Sequence, residues 1–318
     1  MVTPKLRFKE FDSAWSNSKI DDIAVVTSGG TPSRSNLTFW DGNIPWVTTS
    51  LVDFNIIQSA EEFITQKGLD NSSAKLFPKN TILMAMYGQG ITRGKVAILG
   101  IDATTNQACA AIKLQSNYDT QFIFQNLMSR YEEIRDLSND GGQKNLSAGI
   151  IKEIEVYYPE KTEQIKIASF LSVVDEKISQ FNQKHELLSQ YKQGMMQKLF
   201  SQQVRFKADD KSEFGEWEEK ELKDIAEINP KSTKLPASFI YIDLESVEKG
   251  KLLLQKNIEL QDAPSRAQRL LAKGDVLFQM VRPYQQNNYY FNLSGEYVAS
   301  TGYAQIRTKL DSKFIYYA

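Results

Sequence analysis

Lys19-Ile20-Asp21-Asp22-Ile23-Ala24, near the start of the chain, returns as Lys220-Glu221-Leu222-Lys223-Asp224-Ile225-Ala226, a repeat spaced by roughly 200 residues and so by a whole domain rather than a solenoid unit. Trp15 and Trp217 share that spacing, and Leu6-Arg7-Phe8 is echoed by Val204-Arg205-Phe206. Further along, Ile44-Pro45-Trp46-Val47 aligns with Phe239-Ile240-Tyr241-Ile242, and the segment 76–83 with 270–277. Thr105-Asn106-Gln107-Ala108 aligns with Ser300-Thr301-Gly302-Tyr303 to within one residue, and Phe122-Ile123 with Phe314-Ile315. The apolar pattern persists while the polar loop residues diverge. One fold used twice, with two surfaces that read different things, produces that divergence.

Each copy reads as mixed α/β. Short apolar runs rich in β-formers predict strands at 44–47, 81–86, 95–99, 110–114 and 154–158. Glycine clusters at 29–32, 88–90 and 141–142 predict loops. The spacing of Phe122, Leu127, Tyr131, Ile134 and Leu137 predicts one helix over 122–137. Between the copies, Ile167, Leu171, Val174, Ile178, Phe181, His185, Leu188, Lys192, Met195 and Leu199 recur in alternating steps of four and three, the seam of a coiled coil. The fold class expected is α+β: two repeated units joined by a long coiled-coil-type helix. Its domains are 1–158, a helical spacer at 159–203, and 204–318. Thr162-Glu163-Gln164 supplies candidate capping groups for that helix, Gly194 falls inside it, and Trp15 and Trp217 are expected to anchor the two cores. The second copy stops where the first is only at Phe122-Ile123, so it is expected to be incomplete and to lack a long helix of its own.

At 318 residues the chain can bury about two cores. Its one cysteine, Cys109, excludes an intrachain disulfide and suits a reducing cytoplasm. No apolar run reaches the roughly 18 residues of a membrane span, and the N-terminus does not resemble a signal peptide. Net charge is −1, but the charges are unevenly placed. Residues 75–115 hold Lys75, Lys79, Arg93, Lys95 and Lys113 against Asp102 alone. The equivalent stretch 263–309 holds Arg266, Arg269, Lys273, Arg282, Arg307 and Lys309 against Asp275 and Glu296, whereas 213–227 is strongly acidic. Basic patches at equivalent places in two copies are the footprint of a phosphate-binding face.

No catalytic or metal-binding constellation is legible. One cysteine and one histidine, His185, cannot form a zinc site of the usual kind. The stretch 88–96 has glycines one residue out of step with a phosphate loop, and Val96 stands where Ser or Thr would hold magnesium. Asn229-Pro230-Lys231 is not an adenine-methyltransferase motif, and the carboxylate pairs Glu61-Glu62 and Glu218-Glu219 read as solvated surface. The remaining polar groups suit nucleic acid: Arg for guanine, Asn and Gln for adenine, Lys and hydroxyls for phosphate. In the first copy the candidates are Arg34, Thr48, Thr49, Ser50, Tyr87, Gln89, Thr92, Arg93, Lys95, Gln143, Lys144 and Asn145. In the second they are Arg266, Arg269, Arg282, Tyr284, Gln285, Gln286, Asn287 and Asn288.

The order of parts resembles the specificity subunit of type I restriction-modification systems. The resemblance rests on Leu6-Arg7-Phe8 with Trp15, Gly30-Thr31-Pro32-Ser33, Trp40-Asp41-Gly42, Asn106-Gln107, and the segments 141–146, 163–171 and 191–201. In the second copy it rests on the segments 273–278 and 282–284. The resemblance implies two target-recognition domains, each reading half of a bipartite DNA site, with long helices fixing the gap between the halves. It also implies a subunit without chemistry of its own. Two methyltransferase subunits and the motor-nuclease subunits would dock on it, and S-adenosylmethionine, ATP and Mg would belong to those partners. A single seam without its partner helix implies self-association as a further possibility. The competing reading is a protein–protein scaffold of two α/β modules with an oligomerisation helix, favoured by the acidic stretch 213–227.

Overall fold

The computed structural model describes residues 4–88, 91–137, 145–232 and 234–318 and divides into two compact units, Met1–Gln183 and Lys184–Ala318. In the first unit a five-stranded sheet runs in the order Ala24–Ser28, Cys109–Leu114, Ile82–Ala85, Val96–Leu99, Ile56–Ile57. Ile82–Ala85 and Val96–Leu99 are apolar and buried at every position because both faces are covered. Ile82, Met84, Val96, Ile98 and Ile112 pack with Ile20, Ile23, Phe122, Ile123 and Leu127 on one side. Leu83, Ala85, Ala97, Leu99 and Cys109 pack with Val47, Val52, Ile57 and Phe77 on the other. A smaller sheet places Trp40–Val47 between Glu62–Ile64, antiparallel, and Thr104–Thr105, parallel. Glu155–Tyr158 closes back on Ser16–Lys19.

The second unit repeats this wiring. Ala226–Ile228, Tyr303–Thr308, Val276–Gln279 and Tyr289–Tyr290 form an antiparallel sheet in the order of the first four strands of the larger sheet above. Ser238–Ile242 lies between Lys256–Glu259, antiparallel, and Tyr297–Ser300, parallel, as Trp40–Val47 does in the first unit. The pairing Ala85↔Cys109 corresponds to Gln279↔Tyr303. Ala108 therefore matches Gly302, one residue away from the alignment drawn on sequence alone. The ring pair Trp15–Phe122, 6.0 Å between centroids, recurs as Trp217–Phe314 at 5.9 Å.

Lys161–Phe200 is one α-helix of 40 residues, about 60 Å long at 1.5 Å per residue. It passes through the division between the units, so each compact unit takes part of what the sequence sets apart as a spacer. The first turns are tied to the first unit. Ala168 joins its core, and the buried Glu163 carboxylate accepts both arms of the Arg7 guanidinium at 2.7 and 2.6 Å. Gln164 donates to the Pro159 carbonyl and accepts from the Asp119 amide. Thr162, Glu163 and Gln164 thus lie inside the helix, with Glu163 and Gln164 committed to tertiary contacts rather than capping. In the second unit Phe200 packs with Trp217 and Phe314.

Along the seam, Leu171, Val174, Ile178, Phe181, His185 and Leu188 are exposed, Phe181 by 59%, while Met195 and Leu199 are half-covered. Gly194 has open space where a side chain would stand. Two further expectations are corrected. The helix expected over 122–137 is two, Thr120–Ser129 and Tyr131–Asp136, because the chain leaves helical geometry at Arg130, whose guanidinium grips Glu133 and the Glu155 carbonyl. Trp217 is no core anchor: it is 44% exposed against the aromatic pair just described.

Candidate nucleic-acid interface

In both units most of the described candidate residues lie on one hairpin and on the turns hydrogen-bonded to its base. The first unit's hairpin joins Ile82–Ala85 to Val96–Leu99. Its loop begins at Met86, whose amide donates to the Ala108 carbonyl and whose carbonyl accepts from Leu146. The Asn106 amide donates to the Val47 carbonyl, and the Gly30 amide to the Thr105 carbonyl. Thr31 donates to the Gln107 side chain. These bonds bring Gly30-Thr31, Thr48–Ser50, Met86–Gly88, Asn106-Gln107 and Asn145 to one edge. Gly29 and Gly30 are required there, since a Cβ on either would lie under 2.5 Å from the Thr105 or Ser73 backbone. Tyr87 and Ser50 are exposed on this edge, and Thr48, Thr49, Thr92 and Asn145 are half-exposed. The Thr48 and Ser50 hydroxyls bond each other.

Three basic candidates of this unit are engaged otherwise. Arg93 is buried. Lys95 is paired with Asp53 and lies over the Phe54 ring. Arg34 donates both arms to Glu62 and stacks 3.8 Å from the Trp40 ring centroid and 4.8 Å from that of Trp46. The Glu62 pair holds the Arg34 guanidinium above its ordinary pKa and the Glu62 carboxyl below its own. Trp40 and Trp46 donate to the Ser33 and Gly30 carbonyls, so they are structural, as their burial indicates. Gln89, Gln143 and Lys144 lie outside the described residues.

The second unit's hairpin joins Val276–Gln279 to Tyr289–Tyr290. The Met280 amide donates to the Gly302 carbonyl, the counterpart of Met86 on Ala108. Thr301 donates to the Arg266 carbonyl, which brings Arg266 to the same edge. Arg282 and Gln286 both adopt left-handed backbone and bracket a single 3-10 turn at Pro283–Gln285. From below, the buried Gln279 fixes the loop: its amide nitrogen donates to Gln285, and its oxygen accepts from the Asn287 backbone. Asn288 accepts from the Gln279 amide, and Asn287 from Lys249. Gln285, Asn287 and Asn288 are therefore scaffold, whereas Arg282, Tyr284 and Gln286 point no side-chain hydrogen bond at any described residue. Tyr284 is 78% exposed. Arg269 is half-buried in the strand Ala267–Leu270.

Sequence reading placed neither Asn106-Gln107 nor the acidic turn Asp243–Glu248 among the site residues. The second lies against the same edge, through Tyr303 to the Asp243 carbonyl and Leu244 beneath Gly302. Among the described residues no His/Cys/Asp/Glu group could hold a metal ion, and no helix is long and apolar enough to cross a membrane.

Residues 12–189 match the family described as the type I restriction modification DNA specificity domain. This chain belongs to that family. Its relatives include the type I restriction enzyme MjaIX specificity subunit of Methanocaldococcus jannaschii, 30% identical over 256 residues. That alignment covers 74% of this chain and 58% of the relative. The EcoR124I/EcoR124II specificity subunit of Escherichia coli is 28% identical over 174 residues, 54% of this chain and 43% of the relative. The alignments thus span about half the length of these specificity subunits. The crystal structure of a type I restriction-modification S subunit from M. genitalium matches this chain with a TM-score of 0.57 at 18% identity, covering 100% of this chain and 79% of that one. At that identity the likeness establishes the fold, and the two-unit α+β architecture with a long helix is the specificity-subunit fold.

Proposed function

We propose that this chain binds duplex DNA as the specificity component of a type I restriction-modification complex. Each unit reads one half of a bipartite site, and the helix length sets the gap between halves. The observation that carries this reading is the repetition of one hairpin edge in two units with different exposed side chains. Its first version presents Tyr87, Ser50 and Gln107, its second Arg282, Tyr284 and Gln286. Such groups hydrogen-bond or stack on bases, and the exposed Arg266 beside the second edge suits phosphate. The chain contributes recognition, and methyl transfer and ATP-driven cleavage belong to methyltransferase and motor subunits docked on it, with S-adenosylmethionine, ATP and Mg bound there. The exposed seam between Leu171 and Leu188 offers an apolar stripe for a partner helix. Membership of a DNA-specificity family and the repeated edge weigh against the scaffold alternative, whose support was the acidic stretch 213–227.

Selection from a randomised duplex pool tests the reading. The full chain, purified with whatever subunits accompany it, is expected to enrich two short sequences separated by a fixed number of unread base pairs. Binding is expected to fall steeply with salt, as phosphate contacts require. Enrichment of one uninterrupted sequence, or of none, overturns it.

A further inference from the structure

Beside the second unit's hairpin lies a groove of about 560 Å³, walled by the Glu245–Glu248 turn on one side and the Arg282–Asn287 loop on the other, with Gln279 in its lining. Glu245, Glu248 and Arg282 all line it and are all exposed. Opposite charges in one groove would ordinarily pair, yet among the described residues none of the three holds an ion pair or a side-chain hydrogen bond. Asp243 in the same turn shows the contrast: its carboxylate is spent on the Ser246 hydroxyl and the Lys256 ammonium. The loop is also anchored where it meets the groove, because Gln279 ties Gln285 and Asn287 from beneath.

An unpaired carboxylate on a surface that meets a polyanion is repelled by phosphate. It is favourable only where it meets a donor, and the donors on a major-groove edge are the exocyclic amines of cytosine and adenine. A guanidinium, for its part, finds its two-acceptor match on guanine. Side by side, the two groups complement a G·C pair.

We propose, on the basis of the DNA-reading function above, that this groove specifies a G·C base pair, with Arg282 taking the guanine edge and Glu245 or Glu248 accepting from the cytosine amine. The first unit is built differently at this place. Val47 and Ile242 occupy equivalent register positions beside Thr105 and Ala299, so Thr48-Thr49-Ser50 stands where the second unit has Asp243-Leu244-Glu245. Hydroxyls replace carboxylates, and the two half-sites differ accordingly.

The test repeats the duplex-pool selection with Glu245→Ala, Glu248→Ala, the double variant and Arg282→Ala. The double carboxylate variant is expected to lose about tenfold or more of its preference for one G·C pair, in one half-site, with the other half-site unchanged. Arg282→Ala is expected to relax the same pair. If the wild type selects a bipartite site and the carboxylate variants select it unaltered, this inference falls and the functional reading stands. The same holds if the variants merely bind every sequence more tightly, as removal of phosphate repulsion would cause. If the wild type selects no sequence, both fall.

Discussion

Arg34 shows how residue type and residue role part company. A guanidinium in a basic first unit suits phosphate, but here it is spent on Glu62 and on the faces of Trp40 and Trp46. The partner of Arg34 was not legible in the sequence, because Glu62 lies on a separate strand and nothing local links the two. The pair carries a pH signature. The Arg34 fork holds the Glu62 carboxyl below its ordinary value, so the folded state titrates lower than the unfolded one. Its contribution is fully present above the unfolded glutamate value of about 4.3 and is lost as pH falls through the depressed folded value. Both side chains are partly exposed, so screening limits the pair to at most about 1 kcal/mol. Thermal unfolding of the wild type and Glu62→Gln is expected to differ slightly at pH 6 and by less as pH is lowered to 3; an equal gap at both pH values refutes the linkage.

At the scale of elements, strands were the most legible part, since apolar runs between glycine loops mark them whichever face they bury. The break at Arg130 was not, because the apolar spacing from Phe122 to Leu137 continues across it and the contacts that hold it come from Glu133 and the Glu155 carbonyl. The hairpin of the second unit depends on a contact equally invisible in sequence. Asp275, 1% exposed and just ahead of the strand Val276–Gln279, accepts from the Ala272 amide, the Gln305 side chain and two nitrogens of Arg307. At the equivalent place the first unit has Thr81, whose hydroxyl donates to the Pro78 carbonyl. Asp275→Ala removes the carboxylate that the Arg307 fork hydrogen-bonds and strips Gln305 of a partner. Arg307 is 39% exposed and can be resolvated, so the lost hydrogen bonds cost about 1–2 kcal/mol, read as a lower denaturant midpoint for the second unit's transition with the first unit's unchanged. A loss shared equally by both transitions would show that the network does not belong to the second unit alone.

At the scale of the whole molecule, the repeat and the heptad seam were legible together, because both are periodicities and survive divergence of individual loops. The contents of the two reading edges were not, since they depend on which loops converge: Asn106-Gln107 and the Asp243–Glu248 turn reach the hairpins through tertiary contacts formed in the fold. What the two units can jointly select then turns on the helix between them. If that helix spaces the half-sites, inserting seven residues between His185 and Leu188 preserves the seam's periodicity, adds about 10 Å at 1.5 Å per residue, and leaves both reading edges intact. Base pairs rise about 3.4 Å each, so the preferred gap is expected to lengthen by up to about three base pairs while the half-site sequences stay the same. The duplex-pool selection reads both quantities at once. An unchanged gap would show that the helix is not the spacer, and altered half-sites would show that the insertion disturbed the units themselves.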